Sequence, residues 1–207
     1  MNTFLFRLSG SILGLFAMVV WGCAGTPATR FFVLSSITGT EKVKDLEGER
    51  CLAIGIGPVR IPEYLNRPEI VTGVTSNEVR MDEFAKWAEP LEDNIQRALA
   101  ENLLSLLCIR AIDIFPHRGH FPLDCWIDVQ VIEMDGIPGE TALLDISWSI
   151  YDGTDEKKAP LLTKRSSYIE PAKGEETGPF VLAQSRNLAS FSQEIADAVL
   201  ALSCQNK

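Results

Sequence analysis

Apolar positions along the chain follow two periods. Leu91, Ile95, Leu99, Leu103 and Leu106 recur every three or four residues and predict a helix from about Pro90 to Leu107. Pro90 suits a first helical position, and Glu89 complements the positive end of the helix dipole. Val181, Leu188, Phe191, Ile195, Val199 and Leu202 form a second stripe, predicting a closing helix from about Pro179 to Leu202. Elsewhere the period is two. Ile127, Val129 and Val131 alternate with Asp128 and Gln130, and Leu144, Ile146, Trp148 and Ile150 alternate with Asp145, Ser147 and Ser149, the signature of half-buried antiparallel strands. A third such strand, Leu161 to Ile169, follows the Asp152-Gly153 turn region, and residues 170–178 read as a Pro/Gly/Glu loop. Phe31 to Leu34, Cys51 to Val59 and Ala111 to Phe115 read as further strands. Glu69 to Val74 and Val79 to Phe84 form a hairpin around Thr75-Ser76-Asn77-Glu78. In Cys51–Val59, Leu52, Ile54 and Ile56 share one face, while Ala53 and Gly55 on the other are small enough for a helix to approach closely. That strand, the first helix and the 111–115 strand read as a right-handed crossover with the hairpin inserted in it. The predicted fold is an α/β sandwich of the α+β kind: a mixed, largely antiparallel sheet with two long helices packed on it.

The N-terminal pattern is different. After Arg7, an apolar run from Leu8 to Val20 is broken only by Ser9, Gly10, Ser11 and Gly14. It falls short of the ~20 apolar residues a membrane-spanning helix needs and has the zones of a secretory signal. The run closes on Val20-Trp21-Gly22-Cys23, a cysteine directly after a small residue, which resembles the lipobox of bacterial lipoproteins. That resemblance implies a signal peptide over 1–22, a diacylglycerol on the thiol of Cys23 and a further acyl chain on its freed amine. Residues 23–30 are then a lipidated tether and 31–207 a single periplasmic domain. Several acyl chains hold a protein stably where one holds it marginally. From Ala24 to Arg30 the tether spans at most about 25 Å, so the domain stays close to its membrane. Ala24, where the lipoprotein pattern places an aspartate for inner-membrane retention, implies transfer to the outer membrane.

Composition narrows the partners. With 19 Lys and Arg against 28 Asp and Glu, the net charge is −9, without cationic clusters. That excludes nucleic acid, whose binding relies on clustered cations, and adhesion to anionic lipid through charge. Besides Cys23, the cysteines are Cys51, Cys108, Cys125 and Cys204. In an exported protein they allow three pairings or buried free thiols. Cys108 and Cys204 fall at the ends of predicted helices, which points to a bridge between them, with Cys51 and Cys125 as the complementary pair.

No pattern carries catalysis. His117 and His120, in the loop Phe115-Pro116-His117-Arg118-Gly119-His120, have no carboxylate or cysteine cluster beside them and read as an exposed turn, not a metal site. Gly55-Ile56-Gly57-Pro58 lacks the third glycine, the Lys-Ser/Thr and the helix of a phosphate loop. There is no Gly-x-Ser-x-Gly elbow. No enzyme activity, metal or cofactor beyond the lipid on Cys23 is expected. Two segments read as a contact surface. Ile61 to Val71 sets Tyr64, Leu65 and Arg67 between Pro62 and Pro68, and Trp87-Ala88-Glu89-Pro90-Leu91 places a tryptophan just before a helix. Rigid loops bearing Tyr, Trp and Arg have the composition of binding hot spots. The alternative is that Tyr64 and Trp87 pack on the sheet.

Together, the lipobox, Phe31-Phe32-Val33-Leu34, the Pro62-Glu63-Tyr64-Leu65 segment, the hairpin, Trp87 to Leu91, and Ser192-Gln193-Glu194-Ile195-Ala196 resemble the ABC-transport auxiliary lipoproteins, over nearly the whole mature chain. Phe31-Phe32 stand where that family has two tyrosines, and Trp21 is unusual for a lipobox. The resemblance implies a lipid-anchored protein on the periplasmic face of the outer membrane. It would work with an MCE-domain tunnel protein and inner-membrane components that move phospholipid or related apolar cargo. The expected role is a docking subunit, with Tyr64, Leu65, Arg67 and Trp87 as its partner-binding residues, in a homo-oligomer if the tunnel is a ring. The alternative is a cargo-binding module with an acyl pocket between sheet and helices.

Overall fold

The computed structural model describes residues 27–36, 51–75, 77–116, 121–153 and 159–202. Cys23, His117, His120 and Cys204 lie outside them. Strands β1 (Arg30–Phe32), β2 (Leu52–Arg60), β3 (Glu69–Thr75) and β4 (Glu78–Trp87) precede helix α1 (Leu91–Leu106). Strands β5 (Ile109–Ile114), β6 (Cys125–Ile137), β7 (Thr141–Asp152) and β8 (Leu162–Pro171) lead to helix α2 (Thr177–Ala201). The expected mixed sheet with two long helices is present, with one correction: the strands divide into two sheets. Five form the order β5-β2-β6-β7-β8, and three form β1-β4-β3. Alternation identifies a strand but not its neighbour. The 69–87 hairpin takes β1 as a parallel third strand, with Phe32 opposite Trp87.

The large sheet is parallel at β5-β2-β6 and antiparallel from β6 to β8. α1 packs on β2 and β5, α2 on β7 and β8, and the helices on each other. Both stripes are buried: Ile95, Leu99 and Leu103 from α1 and Phe180, Leu188, Phe191 and Ile195 from α2 meet Ile54, Ile56, Ile127, Leu144, Ile146 and Trp148. Trp148 and Phe191 meet edge to face with centroids 6.1 Å apart. Buried polar groups fix the register of this interface. The Gln96 side-chain amide donates to the Gly57 carbonyl at 2.9 Å, and the Asn102 amide donates to Ser192 Oγ at 2.9 Å.

The small residues of β2 serve a different neighbour from the one expected. Because the helices take the Leu52, Ile54 and Ile56 face, the opposite face is covered by Trp126 of β6, the register partner of Gly55. A Cβ at Gly55 would stand 2.1 Å from Trp126 Cε3, so glycine is required there. Gly57 lies under the same ring. Gly55 to Pro58 is thus strand interior.

The expected bridges, Cys108 with Cys204 and Cys51 with Cys125, are also corrected, since Cys108 is bonded to Cys51. β2 and β5 run parallel with Leu52 opposite Ile109, so the cysteine before each strand arrives at the same place, with Cα atoms 4.6 Å apart. Cys125 is disulfide-bonded as well.

The packing yields a first prediction. Leu99→Ala and Ile195→Ala should each lower unfolding free energy by about 2–5 kcal/mol in urea titrations, as for other buried aliphatic truncations, while exposed Leu200→Ala should change it little. Equal small effects at all three positions would contradict this core.

Candidate functional site

The loop between β2 and β3 is built by its prolines. Pro62 fixes the entry to a 3₁₀ turn, Glu63–Leu65, closed by Leu65 N–H to the Pro62 carbonyl at 2.9 Å and Asn66 N–H to the Glu63 carbonyl at 3.1 Å. Pro68 ends the loop, and its carbonyl accepts the Trp87 N–H at 2.8 Å. This geometry sorts the four predicted contact residues. Leu65 (3% exposed) and Trp87 (6%) belong to the core, because the turn directs Leu65 inward and Trp87 closes the pairing of β4 with β1. Tyr64 is half-buried and packs against that core. Arg67 is also half-buried, held by Nε donating to the Tyr64 carbonyl at 3.0 Å and Nη1 against Met81 Sδ at 2.7 Å. The loop therefore does not display all four side chains.

What it presents is a cleft of about 370 Å³, lined by Asn66, Arg67, Pro68, Trp87, Ala88, Glu89, Pro90 and Leu91. The two predicted segments thus come together, with Trp87 and Leu91 as its buried part and Arg67 and Glu89 as opposite charges on its lining. Glu89 is fixed from behind by Arg97, whose Nε donates to Glu89 Oε1 at 2.9 Å. The helical spacing of α1 places Arg97 outside the apolar stripe, which predicts an exposed residue with little effect on stability. Instead it also bonds Glu101, Asn94 Oδ1 and the Leu34 carbonyl. Asn66, Pro68 and Glu89 lie inside the two predicted segments, but only the folded loop sets them beside Arg67 on one cleft.

A second group escapes the sequence reading. The Tyr64 hydroxyl takes a hydrogen bond from the Met134 backbone and faces Asp135 and Glu133; burial and then these two charges push its pKa up to about 12. Burial, and next the hydrogen-bonded Glu133, pushes Asp135 up to about 6. Acids two apart in a strand share a face, which is the available signal. The pair sits by the Tyr64 hydroxyl, which the Met134 backbone ties to β6. The Ser192 to Ala196 motif is structural in the same sense. Ser192 accepts from α1, and Glu194 accepts from Ser166 and Tyr168 and pairs with Lys164, tying α2 to β8. Among the described residues, no group of three or more His, Cys, Asp or Glu is arranged to hold a metal.

The fold is a sheet carrying two helices on one face, with a Pro-braced loop beside an open cleft. The chain belongs to the family of ABC-type transport auxiliary lipoprotein components, whose model matches residues 32–196. It is accordingly a non-catalytic auxiliary lipoprotein of an MCE-type transport system, associated with inner-membrane transport components in a periplasmic or outer-membrane setting. Two solved structures share the fold. One is titled an uncharacterized protein, with TM-score 0.66 and 13% identity, covering 84% of this chain and 99% of that one. The other is protein XCC0632 from Xanthomonas campestris, with TM-score 0.63 and 13% identity, covering 84% of this chain and 93% of that one. No curated protein sequence matches the chain.

The acid pair predicts a pH dependence. Because the folded pKa of Asp135 lies above its ordinary value, its contribution favours folding at low pH and is lost as pH rises from about 4 through about 6. Asp135→Asn, which keeps a partner for Glu133, should raise the urea midpoint at pH 7 relative to wild type and leave it nearly equal at pH 4. Denaturation curves of the two proteins across that range measure the difference directly. A constant offset would remove the shared proton from the account.

Proposed function

We propose that this protein is an outer-membrane lipoprotein, acylated on Cys23 and facing the periplasm, that receives the end of an MCE-domain tunnel protein in the cleft beside Arg67. The single observation that carries the docking reading is the convergence of the 61–71 loop and the 87–91 segment on one cleft with an apolar interior and charged lining. Such a site suits a protein segment: Pro68, Ala88 and Pro90, exposed on the lining, offer apolar contact, while Arg67 and Glu89 fix direction by opposite charge. A short tether supports the same reading, because a domain held within about 25 Å of its anchor cannot cross the periplasm and its partner has to reach it. The competing cargo-binding reading needs room between sheet and helices, where Trp148, Phe180, Phe191 and Leu99 are close to fully buried and fill the space.

Arg67→Ala with Asn66→Ala tests the docking site without touching the core. Hot-spot side chains contribute more than about 2 kcal/mol, so the double variant should weaken partner binding roughly 30-fold with an unchanged thermal midpoint. A folded variant that still co-purifies its MCE-domain partner at wild-type yield would move the interface elsewhere. For the anchor, mass spectrometry of the mature N-terminus should find acylated Cys23, and Cys23→Ala should leave a soluble protein or an uncleaved precursor. An unmodified terminus at another residue would overturn both the acylation and the outer-membrane assignment.

A further inference from the structure

The chain leaves its anchor into an exposed apolar segment. Phe31 is 66% exposed, the highest among the large hydrophobic residues described, and Val33 is 49% exposed, while Phe32 and Leu34 between and after them turn inward. This segment cannot swing freely. Arg30 pairs with Glu176 at 3.8 Å, a Cβ at Gly178 would stand 3.9 Å from the Phe32 ring, and the Ser35 N–H donates to Ser185 Oγ at 3.1 Å. Residues 178 and 185 are seven apart and share one face of α2, so the segment runs along the first two turns of that helix. Leu182, 48% exposed, lies one step round from that line. Beyond it opens a cleft of about 500 Å³ lined by Lys173, Gly178, Leu182 and Arg186, with Glu170 on the same lining.

We propose that Phe31, Val33 and Leu182, with Lys173 and Arg186 beside them, form a face that rests on a phospholipid surface. The inference rests on acylation of Cys23, as argued above. The occupant follows from the length of chain before the described residues. Phe31 is eight residues from Cys23 and is therefore within about 28 Å of the acyl chains even with the tether fully extended. Apolar side chains beside cations fit the boundary between acyl chains and headgroups. The lining suits a zwitterionic headgroup: Lys173 and Arg186 offer contacts for its phosphate, and Glu170 for an ethanolamine ammonium. The acidic net charge of the chain does not oppose such a contact, since the headgroup is neutral overall. Seated this way, α2 stands with its first turns at the membrane. Leu200, 22 residues further along the helix from Gly178, is about 33 Å away.

The test uses the full acylated protein in vesicles of phosphatidylethanolamine and phosphatidylglycerol, with a photoreactive phenylalanine analogue introduced at Phe31, at Val33 or at Leu200. The expected result is phospholipid adducts at positions 31 and 33 and background only at 200, with thermal midpoints matching wild type. Using two positions guards against one substitution disturbing the fold. Acylated, folded protein that gives no lipid adduct at 31 and 33, equal adducts at all three positions, or adducts at 31 only with another protein chain in native envelopes would overturn the proposal while leaving the anchor intact. Finding Cys23 unacylated would overturn the anchor reading, and this one with it.

Discussion

Leu34 is the point through which the N-terminal end of the chain is joined to the body of the domain. Its side chain is fully buried, its N–H donates to Asn94 Oδ1 at 2.9 Å, and its carbonyl accepts from Arg97 Nη2 at 3.1 Å. Both partners stand on α1, one turn apart, and Arg97 Nη2 also donates to Asn94 Oδ1. Buried backbone groups need partners, so a chain arriving from outside can be taken into the core only where side chains meet its N–H and C=O. The same guanidinium holds Glu89 on the lining of the cleft. The entering segment, α1 and the cleft therefore share one hydrogen-bonded network.

The cleft depends on the small sheet, and the small sheet depends on that entry. β1 is only three residues long, too short to stand as a strand alone. It is held because Phe32 pairs opposite Trp87 while Leu34, two residues on, is locked into the helix layer. The Ala88 N–H then donates to the Phe32 carbonyl at 2.9 Å, carrying the chain from β4 toward α1 and setting Ala88 to Leu91 along the cleft. On the other side, the Tyr64 hydroxyl, bonded to the Met134 backbone beside Glu133 and Asp135, pins the loop to β6. Burial, and next the neighbouring charge of Glu133, opposes ionisation of Asp135, which retains its proton to higher pH as a result. That cost to folding at neutral pH is carried by the core, where the apolar stripes of both helices are buried.

The elements with a strong period are legible in the sequence itself. Both helices, both strands of the 69–87 hairpin and the three antiparallel strands fall where the alternation of Ile127, Val129 and Val131 or the stripe of Leu91, Ile95 and Leu99 places them. Period reports which face of an element is buried, not which element covers it. The size of Gly55 marks a point of close approach, but the approaching group is Trp126 from the adjacent strand, a relation that exists only once β2 and β6 are paired. The disulfide is hidden for a related reason. Helix ends say nothing of which cysteines meet, whereas the parallel alignment of two strand starts, Cys51-Leu52 and Cys108-Ile109, brings the sulfurs together. Leu65 and Trp87 stand out by residue type alone. Type marks large side chains without saying which way a 3₁₀ turn or a strand end will aim them.

These relations give the domain a direction. The chain enters beside the first turns of α2, crosses to α1 at Leu34, and the cleft opens where β4 hands over to α1, from Trp87, the last partner of β1, onward. The cleft is thus contiguous with the N-terminal end of the described fold. On the proposed reading, a partner held in the cleft sits close to the membrane, and the fold, not the tether, sets the distance between them. The open polar face of β7 and β8, where Arg165 forks onto Asp145 through bonds of 2.9 and 2.6 Å and Ser149 meets Thr163, turns away from the helix layer. Such exposed pairs contribute little to stability, so this face can vary in sequence without loosening the network at Leu34.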